Sequence, residues 1–150
     1  MAGYSAKPLA QKLSLKDGQR EWGQAMPEDV RATIESHGLA LKILKTPAAP
    51  LDAAHVFVRT VAELEAAIRT VRGVLAPDGF VWVSWPKKSS GVATSVTEDT
   101  IRKVVLPTGL VDIKVCAVDD VWSGLKLVIR KELREKPLKN TKARRRQPRV

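Results

Sequence analysis

Residues 85–91, Trp-Pro-Lys-Lys-Ser-Ser-Gly, gather more ligand-binding groups than any other stretch of this 150-residue chain. Lys87 and Lys88 bring positive charge, Ser89 and Ser90 bring hydroxyl donors, and Gly91 leaves its amide open to close approach. Ammonium groups and backbone N–H groups together suit a phosphate or a carboxylate. The competing reading is a solvated basic loop, since such clusters are common on surfaces. Trp85 at the head of the loop and Trp122 further along are the aromatics that could wall a pocket there; the commoner role for so large a ring is simply buried area.

Other reactive residue types are present without partners at useful spacing. Asp119 and Asp120 suggest an acid pair or a metal-binding corner, but aspartate is equally at home in a hairpin turn, and no second carboxylate cluster accompanies them. Cys116 is the single cysteine, so no intramolecular disulfide forms, and its place in an apolar run suits an inert buried thiol. His37 and His55 share no spacing with a nucleophile, and there is no P-loop, zinc-ligand pattern or Ser-His-Asp arrangement. The sequence therefore assigns no catalytic residue, no metal ligand and no resident cofactor.

Net charge is +10, unevenly placed. Residues 130–150 account for +8 of it and the preceding 129 residues for only +2. Within that segment Lys142, Arg144, Arg145, Arg146 and Arg149 are the candidates for neutralising phosphates of RNA or DNA, with binding that weakens steeply in salt. No aromatic is interleaved for stacking on bases, so such binding would ignore sequence; a solubilising extension is the alternative. The first 20 residues lack a signal-type apolar run, and no stretch approaches the roughly 20 apolar residues of a spanning helix. The expectation is a cytoplasmic protein in which residues 1–131 fold as one domain and 132–150 form a basic tail.

The elements that must position the loop can be read in order. Leu9 and Leu13 mark a short first helix, closed by Lys16-Asp17-Gly18. Residues 20–26 stand where a first strand belongs, although they are polar and interrupted by Gly23. Pro27 opens a helix ending at Gly38. Leu39, Leu41 and Ile43 alternate as a strand, residues 46–50 form a loop, and residues 55–59 form a second strand. Thr60 and Glu63 have capping-box spacing ahead of Val61, Leu64, Ile68, Val71 and Leu75, one apolar helical face. Pro77-Asp78-Gly79 turns the chain into a strand over 80–84. Ser95 and Glu98 repeat the capping-box spacing before a helix that must stop at Pro107. Residues 111–117 and 125–129 alternate around an aspartate-rich turn and form an antiparallel hairpin. This succession predicts an α/β fold, a Rossmann-like three-layer sandwich whose mainly parallel sheet ends in that hairpin.

The run Leu75-Ala-Pro-Asp-Gly79 before an apolar strand, followed by a helix, Gly109-Leu110 and a hairpin, resembles the second half of a class I methyltransferase domain over residues 53–130. Ala2-Gly-Tyr-Ser5, Trp85-Pro-Lys-Lys88, Thr97-Glu-Asp99, Val115-Cys-Ala-Val-Asp119 and Trp122-Ser-Gly-Leu-Lys126 are similar to a small bacterial family of unknown function. The methyltransferase resemblance implies a glycine-rich turn after the first strand to cradle S-adenosylmethionine, and an acid on the next strand to bind its ribose. This chain has neither: residues 20–27 contain only Gly23, and the run 39–45 ends in lysine. The function expected is thus a non-catalytic binding or regulatory protein, with an anionic small molecule or protein partner at Trp85–Gly91. The alternatives are a nucleic-acid-associated protein acting through the tail, and a methyltransferase-like enzyme.

Overall fold

The computed structural model describes residues 7–134. Ten regular elements alternate: α1 (Leu9–Lys12), β1 (Arg20–Gln24), α2 (Glu28–Glu35), β2 (Lys42–Ile43), β3 (Leu51–Phe57), α3 (Val61–Arg72), β4 (Leu75–Pro86), α4 (Glu98–Val105), β5 (Leu110–Ala117) and β6 (Trp122–Ile129). The strands form one sheet in the order β2-β1-β3-β4-β6-β5. The first three pairings are parallel and the last two antiparallel, so the fold is α/β, mainly parallel, and closed by a hairpin as expected.

Each face of the sheet has its own core. On one, Leu64, Ile68 and Val71 of α3 with Ile101 and Val105 of α4 cover Val56, Val81, Val83, Leu125 and Leu127. On the other, Leu13 beside α1 with Val30 and Ile34 of α2 covers Ala53, Phe57, Phe80, Trp82 and Trp122. The Trp82 indole N–H donates to the Leu13 carbonyl at 2.9 Å, so the largest ring in the middle strand is both packed and satisfied.

Several local expectations shift. β1 forms despite its polarity, because Trp22 packs into one core while buried Glu21 on β1 meets Arg31 of α2 at 3.0 Å. The strand expected over 39–44 is reduced to Lys42–Ile43, both exposed at the sheet's edge. β3 begins at Leu51 rather than His55. α3 ends at Arg72 with Gly73 as its cap, so Leu75 belongs to β4 and not to the helix. Pro77-Asp78-Gly79 is an excursion within β4, where the ladder steps from Leu51 opposite Leu75 to Ala53 opposite Phe80. α4 starts two residues later than Ser95 suggested. Thr97 and Thr100 make the reciprocal cap, while the Ser95 hydroxyl accepts the Val61 N–H at 3.2 Å. Past β6, Lys131–Leu133 make a 3₁₀ turn and the Arg134 Nε donates to the Ile129 carbonyl. Lys142, Arg144, Arg145, Arg146 and Arg149 lie outside the described residues, as does the Ala2–Ser5 motif.

Candidate functional site

In an open α/β sheet a ligand finds its crevice beyond the carboxyl ends of the strands, where the order reverses. Here β1 sits between β2 and β3, so reversal falls between the ends of β1 and β3, and the loop after β4 is the next neighbour. Three connections are tied together at that edge. The Arg59 carbonyl, just after β3, accepts from Ser95 N at 2.9 Å and Thr94 Oγ1 at 2.7 Å, and Lys87 N donates to the Val121 carbonyl at 2.7 Å. The β3, β4 and hairpin loops are thus one fixed surface.

The structure divides the expected loop residues. Trp85 and Trp122 are both buried, but in opposite cores: Trp85 pairs with Ser123, and Trp122 pairs with Pro86 one position on. A one-residue offset reverses the face, so the two rings cannot wall a single pocket. Lys88–Ser90 form a 3₁₀ turn ended by Gly91 at φ +75, where glycine carries no penalty. Within it Ser90 Oγ donates to the Lys87 carbonyl at 2.7 Å and the Gly91 amide donates to the Lys88 carbonyl at 3.2 Å. Two of the donors offered to an anion are therefore spent inside the loop. What remains outward is Lys87, Lys88 and Ser89.

Arg59 joins them, a residue the sequence reading passed over. Its guanidinium lies 6.0 Å from the Trp122 ring centroid, and Trp122 in turn meets Phe57 edge-on at 5.0 Å. An aromatic face holds a guanidinium without consuming its N–H groups. Among the described residues no carboxylate lies within 4 Å of the charged ends of Arg59, Lys87 or Lys88. Glu63, the acid nearest in sequence to Arg59, is occupied by the backbone, its Oε1 accepting from Arg59 N at 2.7 Å and Thr60 N at 3.3 Å, and Arg102 binds Glu98, Asp99 and Asp112 at 2.9, 3.2 and 3.0 Å. Asp119 serves the turn, its Oδ1 accepting from Val121 N at 2.9 Å and Trp122 N at 2.8 Å. Cys116 is half-buried, and burial raises its thiol pKa. Among the described residues, no three His, Cys, Asp or Glu side chains gather as a metal site.

A buried polar row runs beneath this edge. His55 Nε2 and Ser84 Oγ are 2.7 Å apart, both enclosed, and His55 stacks on Phe57 at 4.3 Å. Burial first, and the charge of Arg31 second, lower the imidazole pKa from 6.5 to about 3. Ser84 has no exposed surface, so this pair offers no nucleophile to solvent. Glu21, paired with Arg31, has its pKa raised by burial against the opposing pull of that guanidinium. Only a register seen in three dimensions brings these residues together; Gly23 of β1 faces His55, and Trp82 of β4 lies beyond it.

At the end of β1 an open groove of about 470 Å³ is lined by Gly23, Ala25, Met26, Glu28, Arg31 and Glu35, with Met26 and Arg31 packed close against the glycine. A Cβ placed on Gly23 would meet Met26 Cε at 3.0 Å and Arg31 Nη2 at 3.2 Å. Ala25 takes a left-handed backbone, φ +56, carrying a methyl group where a cradle needs none. Glu28 and Asp29 stand in the first turn of α2.

Comparison with solved structures shows the fold. The chain is similar to an S-adenosylmethionine-dependent methyltransferase from Aquifex aeolicus at 12% identity, over 81% of this chain and 88% of that one, with a TM-score of 0.52. It is similar also to precorrin-6y C5,15-methyltransferase from Geobacter metallireducens GS-15, at 14% identity over 81% and 84%, with a TM-score of 0.51. No family model matches the chain, and no curated protein matches it in sequence. The fold is Rossmann-like, of the methyltransferase type. Among the described residues no helix is long and apolar enough to cross a membrane.

The cofactor that such neighbours are named for does not suit the residues at this chain's switch point. Met26 and Arg31 pack within 3.0 and 3.2 Å of a Cβ placed on Gly23, so the strand end lacks a bare glycine approach; two acids head α2 where a carboxylate-bearing ligand would approach, and β2 closes on Ile43 with Lys45 beyond it.

Proposed function

We propose that this protein is a non-catalytic binding protein on a methyltransferase-type fold, taking an anionic small molecule or an acidic partner at the carboxyl edge of its sheet. Arg59, Lys87 and Lys88 make the charge contacts and Ser89 adds a hydroxyl. The observation that carries this reading is Arg59 held over Trp122 with its N–H groups unspent, beside a loop fixed to the hairpin by the Lys87 N–H. Guanidinium and ammonium groups without carboxylate partners are suited to an incoming phosphate or carboxylate.

Calorimetric titration of the full chain with adenosine mono- and triphosphate tests the reading. Saturable binding that Arg59→Ala and the Lys87→Ala/Lys88→Ala pair each weaken at least tenfold supports it. Binding unaffected by either change removes it. The solved neighbours favour a second reading, an S-adenosylmethionine-dependent enzyme; the single glycine after β1, Ala25 at φ +56 and the two acids heading α2 weigh against it, and the same calorimeter decides.

A further inference from the structure

We infer that the outer face of the β5–β6 hairpin, where it meets α1 and the turn after it, is a second anion site suited to a dianionic phosphate group. Lys114 and Lys126 stand directly opposite each other in the antiparallel ladder. Residues so paired share a face, with Cβ atoms about 5 Å apart, and like charges placed there destabilise the sheet. Lys126 is also held in place and partly desolvated. Its Nζ donates to Ser14 Oγ at 3.0 Å and lies 4.7 Å from the Phe80 ring centroid. Ser14 itself sits in a left-handed backbone at φ +63, a cost for any residue with a Cβ. Backbone strain of that kind persists where the surroundings fix it.

Two further lysines flank the pair. Lys12 of α1 reaches over to the Ala117 carbonyl at 2.9 Å, and Lys16 follows in the next turn. The charges acting on Lys126 are those of Lys114 and Lys16, and each lowers its pKa after burial has done so. Lys12 and Lys114 act likewise as the cations beside Cys116. Asp17, beside Lys16, is directed elsewhere, its Oδ1 accepting the Ala40 N–H at 2.7 Å, and Asp112, two residues before Lys114, binds Arg102 at 3.0 Å. Among the described residues no carboxylate lies within 4 Å of Lys12, Lys16, Lys114 or Lys126. Four ammonium groups brought together by three separate segments, one of them tethered by a strained serine, are balanced by an anion with several acceptor oxygens.

This site is separate from the β4 loop, and it stands or falls without it. The test is the thermal midpoint of the full chain at fixed pH and ionic strength, in chloride, in inorganic phosphate and in glycerol phosphate. The wild type should show a saturable rise in Tm with a phosphate species that chloride does not reproduce. Saturation by inorganic phosphate alone marks the free ion as ligand, and saturation by the ester at lower concentration marks a phosphorylated metabolite. Lys114→Glu supplies the missing charge within the ladder, so it should melt higher than the wild type in chloride and lose the hairpin's share of the phosphate-dependent rise. Lys114 is exposed, so the variant folds. The same comparison in the Lys87→Ala/Lys88→Ala background removes any phosphate held at the β4 loop; there a saturable rise should remain, and adding Lys114→Glu should abolish it. The inference is overturned if, in the Lys87→Ala/Lys88→Ala background, phosphate and chloride give one midpoint or Lys114→Glu keeps the phosphate response.

Discussion

Acidification should weaken this fold through His55. The ring is enclosed between Ser84, 2.7 Å from its Nε2, and Phe57, stacked at 4.3 Å, and its pKa falls from 6.5 to about 3. The folded value lies below the unfolded one, so the stabilising contribution is whole above pH 6.5 and is lost as pH falls from there toward 3. In that window the unfolded chain accepts a proton that the native imidazole refuses. Each pH unit is worth about 1.4 kcal/mol, so the loss at pH 5 is about 2 kcal/mol. Glu21 runs the other way: its pKa is raised, so falling pH relieves the strain of its buried charge. Comparing the wild type with His55→Asn cancels that opposing contribution, since both carry Glu21. Urea denaturation at about pH 7.5 and about pH 5 should show the wild type losing about 2 kcal/mol more than the variant. Equal losses would refute the argument. If the variant fails to fold, the His55 imidazole resonances of the wild type decide, for they should not move between those two pH values.

Three stability predictions use the same denaturation assay. Arg31→Ala leaves Glu21 buried without its partner and should cost about 3 to 5 kcal/mol, much of it recovered by adding Glu21→Gln. Gly109→Ala should cost more than about 1 kcal/mol, since φ is +92 and the new methyl would sit 2.7 Å from Leu133 Cδ1; Gly73→Ala, at φ −73 with open space around it, should be neutral or stabilising. Thr97→Ala removes the side-chain cap of α4 and should cost about 1 kcal/mol, which would not be seen if Ser95 were the cap.

Much of the architecture was legible from local chemistry. The Thr60–Glu63 box starts α3, and the alternation of residues 111–117 and 125–129 makes the hairpin. What escaped the reading has physical reasons. Leu51-Asp52-Ala53-Ala54 belongs to a parallel strand buried on both faces, so it lacks the alternation that marks a half-exposed one. The strand at 39–44 shrinks because it is an edge with a single neighbour, β1. Ser95-x-x-Glu98 has the spacing of a cap, yet its hydroxyl serves α3 across the loop, a partner 34 residues away. Lys87 and Lys88 lie in the loop that follows β4, but the facing of Trp85 and Trp122 depends on hairpin register. Arg59 and the lysines of the hairpin become neighbours of their sites only through strand order, which no spacing along the chain encodes.

The methyltransferase-type wrapping is present here, while the turn after β1 carries Ala25 at φ +56, Met26 and Arg31 against Gly23, and two acids at the head of α2, in place of a glycine-rich cradle. Titrating S-adenosylhomocysteine into the full chain in a calorimeter tests it most directly. The account predicts no saturable heat, with nucleotide binding at the Arg59 and Lys87 edge unchanged by its presence. Stoichiometric binding, displaced by S-adenosylmethionine and strengthened by Met26→Gly, would contradict it.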